Sequence, residues 1–180
     1  MLTADFDDLY RKHIHEIHRH CHRIIRNAED AKEISNDAFV KAFIYRNQFD
    51  PQKGNFRSWI FTIATHLAFD FLDSAAQKRK LQTGSLDDLI YSENDEPQPD
   101  AHSEHKQLLK FIDDCLNRLN EKERLAVSLR YLEGFKLQEI AKILGMSSLN
   151  SAKNRIQSGE KKLKQCLEKK GIDDDYWLSA

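Results

Sequence analysis

Side chains suited to nucleic-acid recognition are concentrated between residues 148 and 157. Asn and Gln can form two hydrogen bonds with adenine, whereas Arg and Lys pair with guanine or with backbone phosphates. At about 100° per residue, a helix over this stretch places its amides and serines on one face, which Lys153 and Arg155 flank. The residues predicted to contact duplex DNA are Ser148, Asn150, Ser151, Lys153, Asn154, Arg155 and Gln157.

Two helices and a glycine turn must position those side chains. The first helix is short and has one apolar face, formed by Leu137, Ile140, Ala141 and Leu144. Gly145 can adopt a positive φ in the turn that follows, and Ser147 or Ser148 can cap the next helix. The second helix has its own apolar side, formed by Ala152, Ile156, Gly159, Leu163 and Leu167. This order predicts a helix-turn-helix, whose second helix enters the major groove of DNA.

The charge distribution agrees with a DNA-binding function for this part of the chain. Nine Lys/Arg but three Asp/Glu lie between residues 136 and 170, although the whole chain has a net charge of −1. Residues 81–104 contain seven Asp/Glu and no Lys or Arg. A basic unit indicates nucleic-acid contact, and an acidic segment indicates self-shielding or a partner. The alternative is a helical hairpin with a solvated lysine face, because basic amphipathic helices are common.

Five histidines and Cys21 between residues 13 and 22 raise the question of a metal site. His18 and His22 are four residues apart and His15 shares their exposed face, so these imidazoles could converge on a metal. However, His13 and His20 belong to the opposite face, which is predicted to point toward the core. We therefore interpret the cluster as solvated or packed histidines, and we predict neither a metal site nor a cofactor.

Two helical blocks account for most of the 180 residues. The sequence has no sustained β-like alternation, so we expect an all-α fold made of two small helical domains. The predicted ranges are 1–80 for the first domain, 81–104 for a flexible acidic linker, 105–170 for the helix-turn-helix domain and 171–180 for a tail. The linker is assigned from its acids, glycine and prolines, which cannot support a packed core.

The cellular location is predicted from two further features of the sequence. Cys21, Cys115 and Cys166 are isolated from one another and odd in number, which is typical of a reducing cytosol. The chain has no apolar run as long as a membrane span and no charged-then-apolar leader. We therefore expect a cytoplasmic protein without membrane insertion.

The predicted second helix of the first block has an unusual outer face. That face combines aliphatic with polar and acidic side chains: Glu33, Asn36, Asp37, Val40 and Ile44. Exposed aliphatic groups beside carboxylates indicate a protein-docking surface. The alternative is a tighter bundle that buries Val40 and Ile44 against another helix.

The predicted third helix, residues 56–74, is apolar on nearly every side. Its core stripe is predicted to be Phe56, Trp59, Ile60, Ile63, Leu67 and Phe71, with Phe61, Phe69 and Leu72 opposite. Such a helix is either wholly buried or offers a second face to a partner. In the second case, its aromatics form a platform for unstacked bases beside positive side chains, which are Lys53, Arg57, His66, Lys78, Arg79 and Lys80.

Several motifs of both blocks together resemble a known family. In the first block they are residues 30–39 (DAKEISNDAF), 55–64 (NFRSWIFTIA) and 67–72 (LAFDFL). In the second block they are residues 119–125 (LNEKERL), 130–134 (RYLEG) and 137–163. In this order the motifs resemble regions two and four of the bacterial extracytoplasmic-function (ECF) sigma factors. The resemblance implies a protein without catalytic activity that gives RNA polymerase its promoter specificity and helps to open promoter DNA.

The resemblance also implies roles for particular residues. Docking on the coiled-coil clamp helices of RNA polymerase β′ would involve Asp30, Glu33, Asn36, Asp37, Phe39 and Lys41. Capture and unpairing of the minus-ten promoter element would involve Lys53, Asn55, Arg57, Thr65 and His66. Residues 147–157 would recognise the minus-35 element as duplex. The acidic linker would follow the RNA exit channel, and an anti-sigma factor would mask these surfaces.

The sequence departs from the family pattern at two places. Thr65 and His66 stand where Arg-Asn is common, and Asp73 and Ser74 stand where the family has basic residues. The melting helix is therefore less positive, with Lys78, Arg79 and Lys80 adding charge one or two turns later. The turn at residues 146–149 is one residue longer than usual. The resemblance therefore does not fix which amides of the recognition helix point at base edges.

Two other classes of protein are compatible with parts of the sequence. A stand-alone transcriptional regulator would bind duplex DNA through the second block and sense or dimerise through the first. It differs from a sigma factor because it binds its operator without polymerase, with a strong salt dependence. An enzyme such as a histidine-ligated hydrolase is disfavoured, because the sequence contains no Gly-rich phosphate loop, nucleophile elbow or convincing metal set.

Overall fold

A computed structural model describes the backbone of residues 3–83 and 103–172, and within them the side chains of residues 5–76 and 110–172. Every regular element in these ranges is a helix, which confirms the predicted all-α class. The helices are α1 (Thr3–Ile25), α2 (Ala28–Ile44), α3 (Phe56–Thr83), α4 (Ser103–Asn117), α5 (Glu121–Tyr131), α6 (Leu137–Ile143) and α7 (Leu149–Glu168), with a 3-10 turn at Arg46–Gln48. None of these helices has the length and hydropathy needed to cross a bilayer.

The chain divides into two compact units, Met1–Asn94 and Asp95–Ala180. Helical backbone extends into both ends of the predicted linker, since α3 continues to Thr83 and α4 begins at Ser103. Glycine and proline are absent from residues 81–83, so nothing in them stops the helix before Gly84. The remainder of the linker, residues 84–102, and the tail, residues 173–180, lie outside the described residues.

The first unit is a bundle in which α1, α2 and α3 all pack against one another. Small residues line the contacts and allow the helix axes to approach closely: Ala31, Ala38 and Ala42 on α2, and Ala64 and Ala68 on α3 are fully buried. Ile17 and Ile24 of α1 fill the space between them. At one end, Phe6 meets the rings of Phe39, Phe43 and Phe56 edge-on. The core thus combines close helix contacts with an aromatic cap.

The buried face of α3 differs from the predicted stripe. Phe61 is fully buried although the sequence predicts it opposite the core stripe, whereas Trp59, Ile63 and Leu67 are only half-buried. Ala64 and Ala68 explain the difference, because their small side chains let this side of α3 lie directly against its neighbours. A helix that is apolar on nearly every side carries little information about which side faces inward.

The second unit is built around α7, against which α4, α5 and α6 pack. Its fully buried residues include Leu125 and Leu129 of α5 and Ile140 and Ile143 of α6. The Oδ1 atom of Asn120 caps α5 by accepting the Glu123 N–H at 2.9 Å. α6 has seven residues, and its burial between α5 and α7 supplies the stability that so short a helix lacks by itself.

A disulfide joins Cys115 of α4 to Cys166 of α7. The prediction that the three cysteines are isolated from one another is therefore wrong for this pair. The two positions are 51 apart in sequence, and only the packing of α4 on α7 brings their Cα atoms to 5.7 Å. Cys21 is a free thiol in the core of the first unit.

We expect Gly159→Ala to destabilise the second unit by about 1–2 kcal/mol. Alanine ordinarily stabilises a helix interior by about 1 kcal/mol relative to glycine. Here a Cβ atom would lie 2.6 Å from Val127 Cγ2 and 3.3 Å from the Glu123 carbonyl oxygen, so overpacking outweighs the helix propensity. The loss in the free energy of unfolding is measured by urea titration, with hydrogen exchange of the α5 and α7 amides as the probe.

The matched control for this substitution is the double variant Gly159→Ala with Val127→Ala. Removing Val127 Cγ2 deletes the shortest contact, so the double variant should lose less stability than the two single changes added together. A single Gly159→Ala variant as stable as the parent would show that α5 and α7 do not approach so closely.

Candidate nucleic-acid interface and docking face

The turn between α6 and α7 sets the direction of α7. Gly145 has a φ of 59°. The Gly145 N–H donates to the Lys142 carbonyl at 3.1 Å, and the Met146 N–H donates to the Ala141 carbonyl at 2.8 Å, which is a glycine-type helix end. Ser148 then caps α7, its Oγ accepting the Ser151 N–H at 3.1 Å. The predicted glycine turn and serine cap are confirmed, and the cap is Ser148.

Four polar side chains form an exposed face along the first half of α7. Asn150, Lys153, Asn154 and Gln157 follow helical spacing, so they point in one direction. Among residues 5–76 and 110–172, no side chain forms a hydrogen bond or ion pair with any of the four. The three amide groups and the Lys153 ammonium group are therefore available to an external ligand such as a base edge or a phosphate.

The other three residues predicted for this interface have different surroundings. The hydroxyl groups of Ser148 and Ser151 lie 2.9 Å apart, and Ser148 is engaged in the cap. Arg155 is half-buried at the border between the polar face and the core side of α7. The seven predicted residues thus lie within one short segment, with the amides in the centre of its exposed surface.

A buried carboxylate anchors α7 on α5. Glu123 is 4% exposed, and its carboxylate accepts hydrogen bonds from Ser158 Oγ at 2.6 Å and from Lys162 Nζ at 2.8 Å. Burial by itself would raise the pKa of Glu123, but these hydrogen bonds outweigh burial and hold the pKa below its ordinary value. No local pattern in the sequence indicates this group, because its partners lie 35 and 39 residues away.

We expect Glu123→Gln to flatten the pH dependence of the stability of the second unit. A carboxyl group whose folded-state pKa is lowered stabilises the fold above its unfolded-state pKa, about 4.3. This contribution is lost as the pH falls through the folded-state pKa. Hydrogen-exchange protection of α5 and α7 should therefore fall below about pH 5 in the parent. In the variant it should be lower at pH 7 and change less on acidification.

Glu168→Gln is the matched control, because Glu168 is an exposed carboxylate of the same unit, at the end of α7. It should keep the acid sensitivity of the parent. Parallel pH profiles for the parent and Glu123→Gln would show that Glu123 is not the group responsible.

Three of the residues predicted for minus-ten recognition are accessible in the first unit. Lys53 is exposed in the loop before α3, with its Nζ 3.5 Å from Asp50 Oδ2. Asn55 is exposed, and it caps α3 by accepting a hydrogen bond from the Ser58 N–H at 2.7 Å. His66 is exposed on α3. Nearby, the half-buried Trp59 ring lies 5.3 Å from Phe49 and 5.8 Å from Phe56, centroid to centroid.

Arg57 is half-buried and bound to another helix of the same unit. Its Nε and Nη2 atoms each lie 2.8 Å from Glu16 Oε2 on α1. Burial alone would raise the pKa of Glu16, but hydrogen bonds from Arg57 and His13 lower it below its ordinary value. Arg57 therefore links α3 to α1, a role that no local pattern in the sequence indicates.

Thr65 is fully buried, which corrects its predicted contact with DNA. Its hydroxyl donates to the Phe61 carbonyl at 2.7 Å and lies 2.8 Å from His20 Nε2. Burial lowers the pKa of His20 to about 3, so the histidine ring is neutral at ordinary pH. Thr65 and His66 are adjacent in sequence but about 100° apart around the helix, so only His66 faces outward.

The outer face of α2 is exposed in the first unit. Val40 and Ile44 are 58% and 62% exposed, so the alternative that another helix of this unit buries them is wrong. The charged side chains on the same face, Glu33, Asp37 and Lys41, are exposed, and Asp30 and Asn36 are half-buried. Phe39 corrects the predicted set: it is 2% exposed and packs edge-on against Tyr10, because it lies on the inward side of α2.

The histidine cluster of α1 divides between the core and the surface. His13 and His20 are buried, which confirms the side predicted for them, and His15 is exposed. Within the side chains that the structure describes, no group of three or more His, Cys, Asp or Glu residues could hold a metal ion. The His13 ring forms a hydrogen bond with the carboxylate of Glu16, so its Nδ1 atom already has a partner within the protein.

A capped helix-turn-helix with an exposed amide face, preceded by a separate helical unit with an exposed acidic and aliphatic helix, defines a helical transcription protein that binds DNA. Comparison with known families agrees with this class. Residues 9–78 match the family described as Sigma-70 region 2, and residues 112–163 match Sigma-70, region 4.

Curated relatives carry the comparison further. The chain is 28% identical over 165 residues to the ECF RNA polymerase sigma factor SigE of Mycolicibacterium smegmatis, covering 91% of this chain and 62% of SigE. It is 27% identical over 169 residues to SigW of Bacillus subtilis, covering 91% of this chain and 88% of SigW. The chain belongs to the ECF sigma factors of the sigma-70 family. These proteins bind core RNA polymerase, direct it to promoters and are not enzymes.

Solved structures with the same fold include two complexes. The sigma factor RpoE, in a co-crystal with the anti-sigma factor NepR from Bartonella quintana, has a TM-score of 0.76, 20% identity and coverage of 91% of this chain and 97% of RpoE. CnrH, in complex with the cytosolic domain of CnrY, has a TM-score of 0.64, 20% identity and coverage of 93% and 90%. At this identity the likeness supports the fold.

Proposed function

We propose that this sigma factor uses three surfaces to direct transcription initiation, one for RNA polymerase and two for promoter DNA. The outer face of α2 docks on core RNA polymerase, the loop before α3 binds the minus-ten element, and the exposed face of α7 recognises the minus-35 element. The observation that carries the proposal is the exposed face of Asn150, Lys153, Asn154 and Gln157 on a capped helix-turn-helix. Such a face has the donors and acceptors that base edges require.

The dimensions of α7 support duplex recognition. An α-helix with its side chains is about 10–12 Å in diameter, which fits a major groove about 12 Å wide, and Asn150 to Gln157 extend over about 10 Å of its length. Lys153 and Arg155 flank the amides and are suited to phosphate contact, which positions the helix without selecting a sequence. Because the N-terminal residues of recognition helices meet the bases, Asn150 and Asn154 are the residues that we assign to base contact.

The surface near the start of α3 supports capture of single-stranded DNA. Trp59 is half-buried beside Phe49 and Phe56, so part of its ring can stack on an unpaired base. Lys53, Asn55 and His66 supply exposed polar groups around it. We assign Arg57 a positioning role through Glu16, and we leave Thr65 out of the interface because it is buried.

Core docking is assigned to α2 because its exposed face combines charge with apolar area. Glu33, Asp37 and Lys41 surround Val40 and Ile44, and exposed aliphatic groups with a charged rim are typical of protein interfaces. The resemblance to the family points to the coiled-coil clamp helices of β′ as the partner surface. Phe39 supports this face from beneath by packing on Phe6 and Tyr10.

An anti-sigma factor is the proposed regulator. The related structure of RpoE was solved with the anti-sigma factor NepR, which supports the same kind of partner for this chain. We propose that the inhibitor covers the α2 face or the α7 face, and that the protein acts in the cytoplasm where RNA polymerase transcribes.

Run-off transcription tests the proposal as a whole. Purified protein is added to core RNA polymerase and a library of promoter fragments, and transcript start points are mapped. We expect initiation at defined positions that share one upstream duplex element and one element near the start point, with none from core polymerase alone. Random initiation, or none, in the presence of the protein would contradict the proposal.

A further inference from the structure

The C-terminal ends of α4 and α7 are joined by a pair of buried cysteines. Cys115 lies in the last turn of α4, and Cys166 lies in the last turn of α7. Cys115 is fully buried and Cys166 is 8% exposed. The chain between them contains α5, α6 and nearly all of α7, so the bond encloses the whole helix-turn-helix.

Apolar side chains surround the two sulfur atoms. They are Leu116, Leu119, Val127, Leu163 and Leu167, with Ile112 and Ile172 packed against them. At the rim of this cluster, Lys170 Nζ lies 3.5 Å from Asp114 Oδ2 and 4.5 Å from the centre of the Phe111 ring. The disulfide therefore lies within the apolar cluster that packs α4 against α7, and it links the two helices covalently.

We propose that Cys115 and Cys166 form a reversible redox modification site, with two thiols in reducing conditions and a disulfide after oxidation by a hydroperoxide. Sulfur of Cys166 attacks the O–O bond, forming a sulfenic acid and releasing an alcohol, or water when the oxidant is hydrogen peroxide. Sulfur of Cys115 then attacks this sulfur and releases water. Two electrons pass from the thiols to the peroxide, and both thiol protons leave in the alcohol and water.

Reduction returns the pair to thiols through exchange with a dithiol of the thioredoxin class. This part of the inference rests on the proposed function, because a protein that works with RNA polymerase shares its compartment with glutathione and thioredoxin. A disulfide in such a compartment is typically transient, catalytic or redox-sensing. The two cysteines are 51 residues apart in sequence, so the bond depends on the fold of the second unit to bring them together.

The order of reaction follows from burial. Cys166 has the greater exposure and lies two residues from the end of α7, where helices open locally. Cys21 provides the contrast within the same chain, since burial raises its pKa to about 12 and it is a free thiol, bonded to no second cysteine. The second unit thus contains the cysteine pair, and the first unit contains the single thiol.

Oxidation stabilises the unit without altering its DNA-facing side chains. Closing a long loop restricts the unfolded chain, and the stabilisation increases with the length of the loop. Gln157 is about 13 Å along α7 from Cys166, so the exposed amide face lies away from the bond. We expect the redox state to change the temperature at which the helix-turn-helix melts, and to leave its base preference unchanged.

The experiment compares the full chain after treatment with dithiothreitol and after treatment of that reduced protein with hydrogen peroxide. Intact mass should fall by two hydrogen atoms, and Cys115 and Cys166 should become resistant to alkylation. Melting of residues 110–172, followed by hydrogen exchange at rising temperature, should shift upward by about 10 °C in the oxidised protein.

Variants locate the effect and keep it separate from promoter recognition. Cys115→Ala and Cys166→Ala should each abolish the redox-dependent shift, and Cys21→Ala should retain it. Two alkylatable thiols after peroxide, equal melting of the two redox states, or a shift that survives in Cys166→Ala would overturn the proposal. None of these measurements involves polymerase or DNA, so failure of promoter-directed initiation in both redox states would count against the proposed function alone.

Discussion

Asp37→Lys is expected to lower the affinity of this protein for core RNA polymerase by about 100-fold, equivalent to ~2.7 kcal/mol. Asp37 is exposed on α2 between Val40 and Glu33, and no other described side chain pairs with it. Reversing its charge leaves the bundle intact but places a like charge against a partner that complements an acidic face, which costs several kcal/mol. Affinity is measured by titrating labelled protein with core polymerase, and co-purification gives a second readout.

Asp70→Lys is the matched control, since it makes the same charge change at an exposed carboxylate on α3. It should bind core polymerase like the parent, and circular dichroism should show the same helix content for both variants. Retained binding by Asp37→Lys would place the docking surface elsewhere on the protein. The comparison therefore separates a local contact from a general effect of added positive charge.

Asn154→Ala and Arg155→Ala are expected to weaken promoter recognition in two different ways. Loss of the Asn154 amide should change preference at a single base pair of the minus-35 element, with about 1–3 kcal/mol of discrimination lost. Loss of Arg155 should weaken all sequences similarly and reduce the slope of log affinity against log salt by about 1. Binding of the holoenzyme to fragments with each base pair substituted in turn, at several salt concentrations, separates the two effects.

Gln165→Ala is the control for these two variants. Gln165 is exposed about three turns beyond Asn154 on a similar side of α7, so it should affect neither base preference nor salt dependence. Equal losses from Asn154→Ala and Arg155→Ala on scrambled promoters would mean that α7 contacts phosphates without recognising bases.

Local patterns in the sequence were sufficient for the helix-turn-helix. The glycine turn, the serine cap and the polar face of α7 depend on residues within about four positions of one another, and such spacing can be counted along the chain. Ser147 and Ser148 could not be distinguished beforehand, because either hydroxyl can cap the helix. Only the backbone direction at residue 148 decides between them.

Contacts between distant parts of the chain could not be predicted in the same way. The Arg57–Glu16 ion pair, the Glu123–Lys162 pair and the disulfide join residues 39 to 51 positions apart, and no periodic pattern connects them. The inward side of α3 also differs from the predicted one, since apolar residues surround the axis of this helix. Thr65 and Phe39 show a related limit, because a family resemblance assigns a position a role without stating whether its side chain is buried.

The shortness of α6 has a consequence for interpreting variants of the second unit. A helix of seven residues has almost no stability in isolation, so its position depends on Ile140 and Ile143 being enclosed by neighbouring helices. A substitution deep in that enclosure can therefore tilt or melt the platform from which α7 projects. Defects in promoter choice will arise from sites that never approach a nucleotide, and a genetic screen for altered transcription should recover them beside the true contact residues.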